Sequence, residues 1–217
     1  FADLLAILAL ESQRNRCLII GEDLGTVPDD VRHALLSNQI LSYRILYFEK
    51  DWQQGSINAP VEYPRYALCT TGSHDLPTLR GFWREPDLDL REQLQLYPSS
   101  EHAIQQRQLR AQDREQIIAA LAREGLSGTG EAGEADIDGE LSDHLALSIQ
   151  RYLARSSAAL MMIQLEDLLA MTGQVNLPGT VDEYPNWRGK LNLKLEEWET
   201  SINLEGFAQA LNEERSK

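Results

Sequence analysis

Positive charge is scarce in this chain: 20 lysines and arginines stand against 34 aspartates and glutamates, a formal net charge of −14 over 217 residues. A phosphate-backbone partner needs clustered cations, so this balance argues against nucleic acid. It suits an anionic membrane surface no better, and it is compatible with a neutral substrate. Long hydrophobic runs are also missing. No stretch approaches the roughly 20 apolar residues of a membrane-spanning helix, and no charged-then-apolar signal segment opens the chain. Cysteine is limited to Cys17 and Cys69, each set in an apolar run. Two buried thiols in a chain of this length indicate a reducing compartment, the cytoplasm, rather than a disulfide scaffold.

What is present is an ordinary globular composition, 42% hydrophobic and 25% charged, with a regular alternation of helix formers and apolar runs. Residues 2–13 favour helix. Thr26 reads as an N-cap with Pro28 just inside, opening a helix through about Ser37. Apolar runs predict strands near 17–21, 43–48, 66–71 and 158–164. They are too apolar for a one-sided antiparallel sheet, so the reading is parallel α/β. Residues 87–124 lack strand signals and predict two or three helices, followed by a Gly- and acid-rich linker at 127–140. Asp136-Ile137-Asp138-Gly139 in that linker lacks the third oxygen ligand and the spaced Glu of a calcium loop. Helix resumes at 141–155, and a polar loop at 176–188 precedes two closing amphipathic stretches.

This divides the chain into 1–84, strands with their helices; 85–155, a helical insertion; and 156–217, the last strand, a loop and C-terminal helices. The fold class expected is α/β, the C-terminal half of a TIM (β/α)8 barrel with a helical insertion between its last two strands. Half a barrel exposes two unpaired edges. Together with the abrupt start at Phe1 in an amphipathic helix, this places the other half upstream.

Two of the predicted strands stop at carboxylates: I-I-G-E-D-L-G at 19–25 delivers Glu22, and C-T-T-G-S-H-D at 69–75 delivers Asp75. A β/α-barrel presents its catalytic groups at the carboxyl ends of its strands. Paired carboxylates suit glycosidic chemistry, in which one donates a proton and others face an oxocarbenium-like transition state. No metal or other cofactor is implied.

The motifs G-E-D-L-G-T-V-P at 21–28, S-Y-R-I-L-Y-F-E at 42–49, T-G-S-H-D-L-P-T-L-R-G-F-W at 71–83 and N-L-P-G-T-V-D-E-Y-P-N-W-R at 176–188 resemble those of the amylomaltases, the 4-α-glucanotransferases or disproportionating enzymes of bacteria and plastids. The resemblance implies a retaining transglycosylase acting on α-1,4-glucans and maltooligosaccharides. It puts the general acid/base on Glu22 and the transition-state stabiliser on Asp75, with His74 contacting the sugar. The family's nucleophile is an Asp at the end of the fourth barrel strand, and nothing in these residues matches its motif. In a plant the compartment would be the plastid.

Physical chemistry supports these roles independently. An acid must hold its proton near neutral pH, which an apolar strand before Glu22 would favour by disfavouring the anion. Asp75 must stay ionised, and the polar turn of Ser73 and His74 suits that. Asn176, Arg44 and Trp187 are further substrate-binding candidates, and Trp52, Tyr63, Trp83 and Tyr184 are candidate stacking surfaces or, equally, core. The structural alternatives are a loop hydrogen bond for Glu22, an N-cap of helix 76–83 for Asp75, a buried ion pair with a rim acid for Arg44, a turn start for Asn176, and a supporting hydrogen bond rather than catalysis for Asp23. Two other functions compete: an α-amylase-type hydrolase, which lacks the 176–188 loop, and a non-catalytic glucan-binding piece.

Overall fold

Residues 41–45 and 67–70 form the centre of a parallel sheet. The computed structural model describes residues 1–127 and 140–216; most of the acidic linker expected at 127–140 lies outside them. In chain order, α1 (Ala2–Asn15), β1 (Ile20–Gly21), α2 (Asp29–Ser37) and β2 (Leu41–Ile45) lead to a hairpin of β3 (Lys50–Asp51) and β4 (Ser56–Ile57). Then follow β5 (Ala67–Thr70), α3 (Leu79–Arg84), α4 (Pro86–Gln93), α5 (Ser100–Arg123), α6 (Asp143–Ala154) and β6 (Leu160–Met161). The chain closes with α7 (Leu165–Leu168), α8 (Trp198–Ser201) and α9 (Leu204–Arg215).

The sheet has the order β1-β2-β5-β6, every pair parallel. The helices of 79–154 lie in chain order between β5 and β6, where the sequence placed them. Strand lengths differ from expectation for a visible reason. Ile45 pairs with Thr70 at the last rung of the β2–β5 ladder, so residues 46–48 have no neighbour and tighten into a 3-10 turn. β1 and β6 are the sheet's two outer strands, each paired on one side only. Single hydrogen bonds extend both, Leu41 N–H to Ile19 O at 3.0 Å and Met162 N–H to Cys69 O at 2.9 Å.

The predicted burial of Cys17 is corrected: it is exposed, beside Leu18 at 70% exposure. The segment before β1 has no partner on its outer side. Cys69 is buried, and burial pushes its thiol up, against a contact with Ser156 Oγ at 3.2 Å. Thr26 does not cap α2; Pro28 occupies that position without a side-chain bond.

The core joins the strands to the helical segment. Ile45, Leu46, Ile57, Cys69, Ile117, Leu121, Ile149 and Leu153 pack in one cluster. Tyr63 and Trp83 belong to it, the core reading of their two alternatives. Phe82 stacks on Tyr47 at 4.1 Å between ring centroids, and the Arg110 guanidinium lies 4.2 Å above Phe82 while pairing with buried Asp87 at 2.8 Å. The fully buried Glu214 carboxylate on α9 accepts from Arg155 Nε at 2.7 Å and from Arg151, fastening α9 to α6.

Candidate active site

Parallel pairing sends the loops after β1, β2, β5 and β6 out of one edge of the sheet. Glu22 follows β1 directly and Asp75 follows β5 after a short loop. β2 alone separates these two strands, and neighbouring strands lie about 4.8 Å apart. β1 and β5 therefore end on the same edge of the sheet, two strand spacings or ~10 Å apart.

Asp75 sits in a polar nest. Its Oδ1 accepts from Asn176 Nδ2 at 2.5 Å, its backbone carbonyl from Gln174 Nε2 at 2.8 Å, and its N–H reaches Ser73 Oγ at 3.3 Å. His74 Nε2 stands 3.5 Å from Asp75 Oδ2, and Asn176 N–H donates to the His74 carbonyl at 3.2 Å. Asp75 does not cap a helix, contrary to the structural alternative. That position belongs to Thr78, whose Oγ1 accepts from Gly81 N–H at 3.0 Å. The Asp75 carboxylate, 42% exposed, is therefore available to a ligand.

The loop at 174–187 is folded onto this group. Asn186 Oδ1 accepts from Leu177 N–H at 2.8 Å, its Nδ2 donates to Thr180 Oγ1 at 2.9 Å, and Tyr184 donates its hydroxyl to Gln174 O at 2.6 Å. Trp187 takes a left-handed φ of 62°, a conformation that costs a non-glycine residue about 1–2 kcal/mol. Its N–H bonds Val175 O at 3.0 Å, and its exposed ring lies 5.0 Å from that of His74.

The second acidic strand end splits its roles. Asp23 is buried and accepts from Ser42 Oγ at 2.7 Å and Tyr43 N–H at 2.9 Å, with Arg44 at 3.7 Å and Arg32 at 3.8 Å. This is the supporting role foreseen for Asp23. Arg44 also reaches Glu49 at 3.4 Å, so its expected partner among the rim acids is found twice. Glu22 is exposed, and this chain supplies none of the apolar enclosure expected around it. Burial first, and the Glu22 charge second, push the Tyr43 phenol up. The Tyr43 hydroxyl donates to Gly72 O at 3.1 Å, within the loop that carries Asp75.

The structure thus gathers His74, Asp75, Asn176 and Trp187. Arg44 stands in a separate cluster around Asp23. Trp52 is exposed on the β3–β4 hairpin, 5.6 Å from Lys50 Nζ. Sequence reasoning missed Gln174, and Tyr43 and Asn186 stand there only within motifs. A cleft of about 350 Å³ borders Asp75 and Pro77 and is lined by Tyr97, His102 and Arg110 of the helical segment. Among the described residues no cluster of three His, Cys, Asp or Glu stands ready to hold a metal ion.

Comparison with known proteins fixes the family. A sequence profile described as 4-alpha-glucanotransferase matches residues 1–195. The 4-alpha-glucanotransferase of Haemophilus influenzae is 44% identical over 191 residues, 88% of this chain and 27% of its own length. That of Mycobacterium tuberculosis is 37% identical over 188 residues, 85% of this chain and 25% of its own length. The chain therefore spans about a quarter of the length of these relatives. Amylomaltase from Corynebacterium glutamicum superposes with a TM-score of 0.83 at 25% identity, covering 98% of this chain and 30% of the other. Amylomaltase from Streptococcus agalactiae in complex with acarbose gives 0.54 at 17% identity, covering 90% of this chain and 30% of the other, a likeness of fold. Four parallel strands, a carboxylate nest at their carboxyl edge and a profile match over nine-tenths of the residues agree: this chain belongs to the 4-alpha-glucanotransferase family.

Proposed function

We propose that these residues form the acid-bearing part of a 4-α-glucanotransferase that passes a segment of an α-1,4-glucan to glucose or another glucan. The observation that carries this reading is the Asp75 nest on the same sheet edge as Glu22, in a chain of this family. The architecture proposed is the C-terminal half of a (β/α)8 barrel. Residues 1–84 supply three strands, 85–155 form a helical insertion, and 156–217 supply the last strand, the substrate loop and closing helices. The all-parallel four-stranded sheet supports it, as does the apolar face of α1, where Leu4, Ile7 and Leu10 are exposed.

In the reaction proposed, Glu22 protonates the leaving glucan oxygen while a nucleophile attacks the anomeric carbon from the opposite face. The Asp75 carboxylate faces the developing positive charge, and Asn176 fixes its direction. His74 and Trp187 meet the sugar at the rim. Glu22, now anionic, then takes the proton from an acceptor hydroxyl, which attacks the glycosyl-enzyme and frees the nucleophile. Retention requires nucleophile and acid about 5 Å apart. None of the residues here is assigned as nucleophile; the part of the enzyme this chain does not span supplies it, and its packing over β1 supplies the enclosure Glu22 needs. The compartment proposed is the cytoplasm. The test is incubation of the full-length enzyme with maltotriose. Glucose and longer maltooligosaccharides together support transfer, whereas glucose and maltose alone mean hydrolysis and overturn the assignment.

A further inference from the structure

One carboxylate that the proposed chemistry does not use touches both ends of the loop carrying His74 and Asp75. Asp167 of α7 accepts from Thr71 Oγ1 at 2.5 Å through Oδ2 and from Leu79 N–H at 2.6 Å through Oδ1. Thr71 is the first residue after β5, and Leu79 is the first residue of α3. A single side chain therefore closes the 71–79 loop at its base. The same chain segment holds the loop further along: Thr78 Oγ1 donates to Met171 O at 2.6 Å, and Gln174 and Asn176 grip Asp75 itself. The approach is close enough to require glycine at position 81, where a Cβ would lie 2.7 Å from Thr172 O. Burial pushes the Asp167 carboxyl up, so its anion stands where the environment disfavours it; the Thr71 and Leu79 bonds act the other way.

We propose that Asp167 is a positioning residue for glucan transfer, setting the height and orientation of Asp75 and His74 by fixing the base of their loop. The inference rests on the reading of Asp75 as transition-state stabiliser. A displacement of about 1 Å at a reacting group costs on the order of 10²-fold in rate. Asp167→Ala removes both anchors. Asp167→Asn keeps an oxygen for Leu79 N–H and an NH2 group that can donate to the Thr71 hydroxyl. The positioning role acts on the transition state, so it separates kcat from KM.

The experiment measures kcat and KM for maltotriose disproportionation in the full-length enzyme, per mole of folded protein. Asp167→Ala is expected to lose about 10- to 100-fold in kcat with KM within about threefold, and Asp167→Asn to restore most of it. Thr71→Val, which drops one anchor and keeps the side-chain shape, is expected to lose a smaller factor, and it stands in if Asp167→Ala does not fold. Wild-type kcat in the folded fraction of these variants, with only thermal stability lowered, would overturn the positioning role. Absence of transfer in the wild-type enzyme would instead overturn the functional reading on which it rests.

Discussion

Replacing Asn176 tests how the Asp75 carboxylate is held. Its amide donates to Asp75 Oδ1 at 2.5 Å, the shortest polar contact described in the nest. A hydrogen bond to a charged group is worth about 1.5–3 kcal/mol, so Asn176→Ala should cost about 10- to 150-fold in kcat/KM if Asp75 must be oriented to face positive charge. Asn176→Asp loses the same bond and adds a second carboxylate nearby. Two like charges about 4 Å apart repel by ~1 kcal/mol in water and ~4 kcal/mol at an effective dielectric of 20. Both side chains are partly exposed, which puts the added cost toward the lower figure. That repulsion is present in the free enzyme and eases as positive charge develops, so the Asp variant should lose the factor of about 10 to 150 of the missing bond and no more. The assay is glucose release from maltotriose by full-length wild type and both variants at one pH and ionic strength. Two variants within twofold of wild type would refute the idea that Asn176 orients Asp75. An Asp variant slower than the Ala variant by more than about tenfold would count against negative charge being favoured at this position.

Other expectations concern stability and access. The Asp167 pKa is raised by burial, so its stabilising contribution is complete below the ordinary carboxylate value and is lost as pH rises through the raised one. Asp167→Asn should accordingly raise Tm at neutral pH, with the gain shrinking as pH falls to about 4; a gain that grows toward acid pH would contradict the sign. Cys17 is exposed here and Cys69 is buried with its thiol pushed up, so mass spectrometry after brief alkylation of the full-length enzyme should find Cys69 unmodified. If the rest of a barrel packs over β1, Cys17 should be protected as well, and rapid labelling of Cys17 there would count against the half-barrel. Glu214→Ala leaves two arginines without their fully buried partner. Because both arginines keep some contact with water, the loss should be about 2–4 kcal/mol by urea denaturation, and a loss under about 0.5 kcal/mol would contradict the fastening of α9 to α6.

The central strands were legible because β5 is buried along its length and β2 carries apolar residues at both ends, each paired on both sides. The ends were not, since a strand stops where its neighbour stops: the apolar stretch 46–48 is indistinguishable from strand in sequence but has no rung beyond Thr70. Cys17 misled for the same reason, an apolar run with no neighbour on its outer side. In the site, Asp75 could be picked out as a carboxylate that ends an apolar run, and His74, Asn176 and Trp187 through motifs that resemble those of the family. Asp167 and Gln174 could not, because their partners lie about 90 to 100 residues away and only folding shows which carboxylate closes which loop. Tyr63 and Trp83 show the converse, aromatic residues whose burial depends on helices that pack from the middle of the chain.

The most direct test of the proposed acidic site is transfer activity of full-length Glu22→Gln and Asp75→Asn against maltotriose, with maltooligosaccharide binding followed in parallel. Both substitutions are nearly isosteric, so maltooligosaccharide should still bind. Loss of the general acid should cost about 10²–10⁴-fold in turnover, and loss of the Asp75 charge a comparable factor. Transfer at wild-type rates by either variant, with the substitution confirmed, would contradict the account.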